Sequence, residues 1–500
     1  MRTQSRTKSL VDLGLTARNA SDARVSGLSV DSRDVKEGHL FFALPGVNVH
    51  GAEFIQYAIR MRAGAVLTDR EGASLARDVL EDSDIPLVVV EDPREALAFT
   101  AALWFEAQPE IMTAVTGTNG KTSVATFTRQ LWAEMGAEAV NIGTTGVEGA
   151  YTAPLKHTTP EPIMLHRTLA RIADAGVTHA AMEASSHGLQ QRRLDGVRLV
   201  AAAFTNLSQD HLDYHDSLED YFDAKAQLFD RVLSEDGTAV INIDDPWGSR
   251  MADIVDARGQ DILTVGRNED AAIRILSQRF DAVGQECRFA WAGKINQVRM
   301  GLIGGFQAEN ALIAAGLCIA TGSDPEETFD GLHALETVRG RMQFAARREN
   351  GATVFVDYAH TPEALVTALK AIRPHVLGRL IVVFGAGGDR DRTKRPLMGR
   401  AAADYADVAI ITDDNPRTED PLLIRAEIKA GARKGAAEVS EVGDRAEAIL
   451  RGVDALGPGD TLLVAGKGHE SGQIVGDTSL PFDDVEQASV AVAALDGKGL

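Results

Sequence analysis

The feature that most constrains this chain is a predicted strand, residues 111–115, that runs into a glycine-containing loop and then a helical stretch. The loop reads TGTNGKT (residues 116–122). Glycines allow backbone N–H groups to turn around a phosphate, Lys121 can bridge the terminal phosphates, and the Thr122 hydroxyl can bind Mg²⁺. The general phosphate-loop pattern has glycine five positions before Gly120, where this chain has Val115. A structural glycine turn is the alternative, but the strand–loop–helix context favours ATP binding.

The length and charge of the chain limit the number of domains and the kinds of partner that we expect. A chain of 500 residues exceeds the roughly 250–300 residues at which single cores stop growing, so two or three domains are expected. The net charge of −21 disfavours nucleic acid or an anionic membrane as a partner. Only two cysteines are present, without metal or disulfide spacing, and no apolar run suits a signal or a membrane span. We therefore expect a cytoplasmic protein without membrane insertion.

The order of predicted elements indicates three α/β domains. Residues 1–104 contain short strands and turns and end in a helix near residues 94–106, which leads into a second domain of residues 105–336. There, apolar strands alternate with amphipathic helices, a pattern typical of a mostly parallel sheet, and residues 262–299 are more β-like. A fresh series begins near residues 337–341 and defines a third domain of residues 337–500. Buried strands are predicted at residues 178–182, 200–205, 238–243, 354–356, 380–384, 408–412 and 461–465, and a helix begins at Thr361–Pro362.

Lys225 lies inside an apolar stripe with helical spacing. The stripe consists of Leu218, Tyr221, Phe222, Leu228, Phe229 and Val232. A lysine that extends its ammonium to solvent is one interpretation. The other is a buried ammonium with acidic or metal-binding neighbours, because an unpaired buried charge is costly.

Polar residues follow two strands of the second domain. Glu183 ends the strand at residues 178–182, and His211 lies in the segment after the strand at residues 200–205. Open α/β sheets bind ligands at the carboxyl ends of their strands, so both residues could face the phosphate loop and hold Mg²⁺. A capping or core histidine is the alternative for His211.

Four strand ends of the third domain carry polar motifs. They read DYAH (residues 357–360), GAGGDRD (385–391), DDNPR (413–417) and GKGHE (466–470). Each could be ordinary turn chemistry. Arg390 and Arg417, however, suit bidentate recognition of a carboxylate, and four such ends together predict a site for a small polar substrate.

In order and spacing, these motifs resemble those of the Mur ligases over nearly the whole chain. The matching segments are TGTNGKT (116–122), MEASSHGL (182–189), FTNLSQDHLDYH (204–215), YFDAKAQLF (221–229), DYAHTP (357–362), GGDRDRTKRPLMG (387–399), DNPR (414–417) and GKGHE (466–470). VDSRD (30–34) and FFALPG (41–46) resemble the uridine-nucleotide domain of the family members that add the third residue of the peptide.

The resemblance implies roles for individual residues. ATP would contact Gly117, Thr118, Asn119, Gly120, Lys121, Thr122, Ser123, Asn310, Arg341 and Asp357. Mg²⁺ would be bound by Thr122, Glu183, His211 and Lys225, the last as a carbamate, which replaces a buried cation by an anion. The catalytic residues would be Lys121, Lys225, Glu183 and His211.

The substrate residues follow from the same resemblance. A UDP-N-acetylmuramoyl dipeptide would contact Val30, Ser32, Val47, Asn48, Val49, Thr158, Thr159, Ser185, Gln191 and Arg193. The incoming amino acid would contact Arg390, Asp414, Asn415, Pro416, Arg417, Gly466 and Glu470. One departure is Gln307, where the family more often has asparagine.

The implied protein is a monomeric, cytoplasmic, ATP- and Mg²⁺-dependent ligase of peptidoglycan precursor synthesis. An N-terminal uridine-nucleotide domain, a central P-loop ATPase-type domain and a C-terminal Rossmann-like domain are expected. The D-Glu carboxylate of UDP-N-acetylmuramoyl-L-alanyl-D-glutamate would become an acyl phosphate and then receive an amino acid. Arg417 favours meso-diaminopimelate over lysine, unless it only caps a turn or pairs with Asp413 or Asp414.

Two alternatives remain, one within the same family and one from a different class of function. Folylpolyglutamate synthetase uses the same chemistry, but it lacks the VDSR-type first domain and the DNPR motif. A P-loop ATPase or nucleotide-binding regulator that forms no bond is the other alternative, against which the four polar strand ends argue.

Overall fold

The computed structural model describes residues 7–18, 23–46, 49–208, 215, 217–433 and 435–497. The chain forms two compact units. One contains Met1–Val265 and Ile313–Asp324, and the other contains Gly266–Leu312 and Pro325–Leu500.

The first sheet of the first unit is small and parallel. Its strands are β3 to β6 in sequential order, and a separate antiparallel pair, β1 and β2, precedes it. The bounds are β1 Lys8–Ser9, β2 Arg24–Val25, β3 Gly27–Ser29, β4 His39–Phe42, β5 Ala65–Thr68 and β6 Leu87–Val89, with helices α1 Ile55–Arg60, α2 Arg70–Leu75, α3 Arg77–Glu81 and α4 Pro93–Phe105. Asp92 caps α4 through the N–H groups of Arg94 and Glu95, and Pro93 occupies its first turn. The predicted exit helix is therefore present.

The central sheet of the same unit has the order β13-β12-β11-β7-β10-β8-β9, and only β9 runs antiparallel to its neighbour. Its strands are β7 Ile111–Thr116, β8 Ala139–Gly143, β9 Gly146–Gly149, β10 His179–Glu183, β11 Leu199–Phe204, β12 Leu233–Asn242 and β13 Asp261–Gly266. Its helices are α5 Lys121–Glu134, α6 Pro162–Asp174, α7 Ser186–Gln190, α8 Leu218–Gln227 and α9 Pro246–Ala257. β7 lies between β10 and β11, so three polar strand ends meet at one edge, as the sequence predicts.

The second unit begins with antiparallel strands. β14 Ile273–Asp281, β15 Gly284–Trp291 and β16 Lys294–Met300 form two consecutive hairpins, and α10 Phe306–Ala320 and α11 Pro325–Gly331 follow along the chain. This stretch accounts for the more β-like character predicted for residues 262–299.

The last sheet has the order β17-β18-β22-β19-β20-β21, with β17 antiparallel and the rest parallel. Its strands are β17 Gln343–Arg347, β18 Thr353–Asp357, β19 Leu380–Phe384, β20 Val408–Ile411, β21 Glu438–Glu441 and β22 Thr461–Ala465; β23 Gly472–Val475 and β24 Thr478–Pro481 form a separate hairpin. The helices are α12 Pro362–Ile372, α13 Lys394–Tyr405, α14 Pro421–Ala432, α15 Arg445–Asp454 and α16 Asp484–Leu495.

Both faces of this sheet are covered by helices. Leu380, Val382 and Phe384 of β19 pack into a core with α12, α13 and α14, whereas Ile381 and Val383 pack into a second core with α15 and α16. Alternate residues of a strand point to opposite faces, so a continuous apolar run predicts such burial on both sides. The Rossmann-like expectation is confirmed.

No helix in the described part of the chain is long and apolar enough to cross a membrane.

Candidate active site

The phosphate loop follows β7 and leads directly into α5. Gly117 has φ +148° and Gly120 has φ +87°, values that side chains rarely allow. A Cβ atom on Gly117 would lie 1.9 Å from Thr205 Oγ1, inside van der Waals contact. Glycine is therefore required at position 117 both for its conformation and for the close approach of the neighbouring segment.

A four-residue segment after β11, residues 205–208, holds the loop in place. Thr118 N donates to Asn206 O at 2.8 Å, and Asn119 N donates to Asn206 Oδ1 at 3.0 Å. In return, Thr205 Oγ1 donates to Asn119 O at 2.6 Å. We call this segment the loop clamp. The sequence singled out its motif for His211, which lies outside the described residues, and gave no sign of this role.

Two lysine ammonium groups meet on one carbonyl oxygen of the loop. Lys121 Nζ donates to Gly117 O at 2.9 Å and to Thr118 O at 2.8 Å. Lys225 Nζ donates to Gly117 O at 2.8 Å and lies 4.1 Å from the centroid of the Tyr221 ring. Lys225 is only 1% exposed. The apolar stripe around it therefore buries the lysine beside the phosphate loop rather than letting it reach solvent.

Glu183 places a buried carboxylate beside the same strand end. In the register of β10 and β7 it lies opposite Val115. Its Oε1 accepts from Thr144 N at 2.8 Å, and its Oε2 accepts from Thr144 Oγ1 at 3.3 Å. Carboxylate and hydroxyl oxygens, as in Glu183 and Thr122, suit Mg²⁺. An unmodified Lys225 ammonium cannot bind a metal, and the described residues contain no cluster of three His, Cys, Asp or Glu that could.

Five of the residues predicted to bind the dipeptide substrate lie together next to Glu183. Thr159 Oγ1 donates to Glu183 O at 3.0 Å and accepts from Ser185 Oγ at 3.1 Å. Arg193 Nη1 donates to Thr159 O at 2.7 Å, and its Nη2 donates to Gln191 Oε1 at 2.7 Å. Thr158 Oγ1 shares a 3.0 Å hydrogen bond with Thr144 Oγ1, which connects this network to the Glu183 carboxylate.

The predicted uridine-nucleotide residues of the first sheet are partly described. Val30 and Ser32 follow β3, where Asp31 accepts from Arg33 N and caps a short 3₁₀ turn. Val30 and Val49 each expose more than a third of their surface. Val47 and Asn48 lie outside the described residues.

Three further residues predicted to contact ATP belong to the second unit. Asn310 Nδ2 donates to Gln307 Oε1 at 3.0 Å, so the position that departs from the family pattern contacts a predicted ATP residue. Asp357, at the end of β18, accepts from Met342 N and Ala359 N, both at 2.8 Å. Burial raises the pKa of Asp357, and the Arg341 guanidinium opposes that rise.

Three of the residues predicted to bind the amino acid contact a lysine that the sequence did not single out. Lys467 is fully buried; its Nζ donates to Asn415 Oδ1 at 2.9 Å and lies 3.5 Å from Asp414 Oδ1. Glu470 Oε2 accepts from Lys467 Nζ at 3.3 Å and from Asn415 Nδ2 at 3.0 Å. In the sequence, the only signal for Lys467 was its position within the GKGHE motif. Gly466 also belongs here, because a Cβ on it would lie 3.0 Å from Asp414 Oδ2.

Arg417 and Arg390 lie in the loops after the neighbouring strands β20 and β19. Arg417 Nη1 donates to Gly388 O at 2.8 Å, and Arg417 N donates to Ile474 O of β23 at 3.1 Å. Arg390 Nη1 donates to Asp389 O at 3.1 Å. Asp413, which the alternative interpretation pairs with Arg417, forms its ion pair with Arg425. The guanidinium of Arg417 thus joins the two loops.

Three segments of the chain match models of known protein families. Residues 24–104 match the model described as the Mur ligase family catalytic domain, residues 115–318 match the Mur ligase middle domain, and residues 340–468 match the glutamate ligase domain of Mur ligases.

Individual relatives agree with these matches. The UDP-N-acetylmuramoyl-L-alanyl-D-glutamate--2,6-diaminopimelate ligase of Brucella melitensis is 48% identical over 96% of this chain and 96% of its own. The protein of the same name from Bradyrhizobium diazoefficiens is 49% identical over 94% of this chain and 95% of its own. A solved structure bearing that name superposes with a TM-score of 0.75 at 34% identity, covering 98% of this chain and 99% of the other.

Proposed function

This chain belongs to the Mur ligase family, and from that premise we propose that it is the ATP-dependent ligase that adds meso-diaminopimelate to UDP-N-acetylmuramoyl-L-alanyl-D-glutamate in peptidoglycan precursor synthesis. The proposal is carried by the sequence identity of 48% and 49%, over almost the full length of the chain, to relatives that are named for this reaction. Arg417 in the DNPR segment and its contact with the neighbouring loop support the same amino acid substrate.

The reaction has two bond-forming steps. An oxygen of the D-Glu γ-carboxylate attacks the γ-phosphorus of ATP, and the bond to the β-phosphate oxygen breaks, which releases ADP and forms an acyl phosphate. The amine of the amino acid then attacks the acyl carbon, loses a proton and expels inorganic phosphate. We assign phosphate binding to the loop residues Gly117, Thr118, Asn119, Gly120, Lys121, Thr122 and Ser123. The Lys121 ammonium already lies against the loop carbonyls and suits anionic oxygens.

We assign Mg²⁺ binding to Thr122, Glu183, His211 and Lys225 as a carbamate. The burial of Lys225 and its distance of 2.8 Å from the loop carbonyl support this assignment, because a carbamate there would place an anion among phosphate-binding groups. Bound Mg²⁺ neutralises charge that accumulates between two reacting anions.

The remaining assignments divide the substrates among domains. Residues 1–104 contribute Val30, Ser32, Val47, Asn48 and Val49 to the UDP-sugar peptide, and residues 105–336 add Thr158, Thr159, Ser185, Gln191 and Arg193. Asn310, Arg341 and Asp357 contact the nucleoside side of ATP. Residues 337–500 bind the amino acid through Arg390, Asp414, Asn415, Pro416, Arg417, Gly466 and Glu470. We propose a monomer in the cytoplasm; the two cysteines, both free and buried, fit a reducing compartment.

Amino acid selectivity tests the proposal. Meso-diaminopimelate and L-lysine share a backbone and a distal amine, but only the former has a second carboxylate for Arg417 to bind. We expect kcat/KM for lysine to be far lower, and Arg417→Ala to reduce kcat/KM for meso-diaminopimelate by about 10- to 150-fold, the loss of one charge-assisted pair.

Arg400→Ala is the matched control, since Arg400 is exposed on α13, pairs there with Asp404 and should tolerate the change. Comparable kcat/KM for lysine and meso-diaminopimelate in the unmutated enzyme would falsify the assignment.

A further inference from the structure

The two loops that carry Arg390 and Arg417 rest on a buried arginine, Arg395 of α13. Its side chain is fully buried. Arg395 Nη2 and Nη1 donate to the two carboxylate oxygens of Glu419 at 2.8 and 3.0 Å, the parallel pairing that fixes a guanidinium most firmly. Nη2 also lies 3.3 Å from Gly387 O. Arg395 therefore contacts the loop after β19 and the segment after DNPR at the same time.

The same Glu419 carboxylate also contacts the backbone of Asp389. Glu419 Oε1 accepts from Asp389 N at 2.6 Å. The Asp389 carboxylate in turn accepts from Thr418 N at 3.1 Å and from Thr418 Oγ1 at 2.8 Å. Arg395, Glu419, Asp389 and Thr418 thus form a closed set of contacts between the two loops, which we call the loop brace.

Two residues of the braced loops have a left-handed backbone conformation. Asp389, directly before Arg390, has φ +52°, and Arg417 has φ +53°. A non-glycine residue seldom adopts this left-handed region and persists there only where its surroundings impose it. The loops also touch closely, since a Cβ on Gly388 would lie 1.9 Å from Pro416 O. The backbone beside each candidate carboxylate-binding arginine is therefore held by tertiary contacts rather than by its own preference.

We propose that the loop brace positions Arg390 and Arg417 for the distal carboxylate of the amino acid substrate and so sets selectivity for a diacidic amino acid over a monocarboxylate one. This inference rests on the proposed function. A guanidinium binds a carboxylate through a planar fork, so displacement by an ångström weakens the pair. Because lysine has no second carboxylate, loosening the brace should harm binding of meso-diaminopimelate and leave lysine nearly unaffected.

Thr418 offers a gentle test, because it is exposed and touches the brace through its hydroxyl. We expect Thr418→Val to raise KM for meso-diaminopimelate about 3- to 10-fold, within the range for the loss of one ordinary, solvent-exposed hydrogen bond. The kcat/KM for lysine and the KM values for ATP and the UDP-dipeptide should change less than twofold. Thr418→Ser keeps the hydroxyl and should restore the parent KM.

Two carboxylates on Arg395 provide a matched pair. Glu419 and Glu427 both contact Arg395, but only Glu419 also accepts from Asp389 N. Glu419→Gln should lower the ratio of kcat/KM values, meso-diaminopimelate over lysine, by at least about 5-fold, within the range for a weakened charge-assisted contact. Glu427→Gln should leave that ratio unchanged.

The brace proposal is overturned if Thr418→Val and Glu419→Gln leave the ratio unchanged, or if Glu427→Gln lowers it equally, which would indicate support of the fold alone. Equal losses for both amino acids would also overturn it. Failure of the proposed function is separate, because it is read from the substrate preference of the unmutated enzyme before any variant is compared.

Discussion

At the scale of single residues, the most informative position is Lys225. Two ammonium groups, those of Lys225 and Lys121, donate to the carbonyl of Gly117, and like charges so close repel each other. An anion between them relieves this repulsion. The γ-phosphate of ATP would be such an anion, whereas a carbamate on Lys225 would remove the repulsion by replacing one of the two ammonium groups with an anion.

Replacement of the buried Lys225 by alanine gives the first prediction. Lys225→Ala should lower the rate of ligation by about 100-fold or more, the range found when a group that stabilises transition-state charge is lost. Millimolar formate or acetate should restore part of the activity by occupying the vacated place. Coupled release of ADP measures both effects.

Lys370→Ala is the control for this variant. Lys370 also lies over an aromatic ring, 4.9 Å from the centroid of Tyr405, but it is exposed on α12. Near-normal turnover of Lys225→Ala would remove Lys225 from the catalytic residues, whatever the outcome for Lys370→Ala.

At the scale of elements, the phosphate loop depends on a neighbour far away in the chain. The loop clamp of residues 205–208 accepts from Thr118 N and donates to Asn119 O, across about ninety residues of sequence. Its position follows from strand order, because β11 pairs with β7 in parallel and Phe204 lies opposite Thr116. The loop and its clamp are one structural element.

The second prediction concerns this close approach. Gly117→Ala should raise KM for ATP at least about 10-fold, because its Cβ would collide with Thr205 Oγ1 and displace the clamp. Gly136→Ala is the matched control: its φ is +84°, but a Cβ there meets no atom within 4 Å. That variant should cost about 1 kcal/mol of stability and leave KM unchanged. Indistinguishable KM values for the two variants would rule out the clamp as the cause.

The observed boundaries of helices and strands show where a local sequence pattern is enough to predict the start of an element. The helix at Pro362 begins where predicted, since Thr361 accepts from Ala364 N and Pro362 occupies the first turn, both local signals. β12 instead begins at Leu233, five residues before the predicted strand at residues 238–243. Its polar first half joins the sheet through pairing of Leu233 with Leu199 and an irregular register, which no local pattern encodes.

At the scale of the whole molecule, a buried histidine should make stability depend on pH. His166 of α6 is buried in the first unit and its Nε2 lies 3.3 Å from Asp195 O. Burial lowers the pKa of His166 to about 4, from 6.5. Between these values the unfolded chain binds a proton that the folded chain excludes, so stability is lost as pH falls from about 6.5 toward 4.

The third prediction follows from this shift. Between pH 7.5 and pH 5, protonation of His166 in the unfolded chain should cost about 2 kcal/mol. His166→Gln cannot titrate, so its loss of unfolding free energy over the same range should be smaller by about that amount. Urea unfolding at both pH values measures the difference, and an equal loss in both proteins would show that His166 does not control it.

The sequence by itself determined the chemistry available to this protein. The phosphate loop, the polar strand ends and the buried lysine depend on residue types at short spacing, so three α/β domains and the family could be predicted from them. The same local patterns identified the motifs that contain Glu183 and the residues proposed to bind the dipeptide substrate.

Only the tertiary structure decided which of these groups meet. The loop clamp, the contact of Lys225 with Gly117, the buried Lys467 and the loop brace each join residues that lie on different elements. Strand order determines such contacts, because parallel strands bring carboxyl ends that are distant in sequence to one edge of a sheet. Hydrophobic periodicity reports which face of an element is buried but not its neighbours, and for that reason the supporting residues of the site could not be predicted from the sequence.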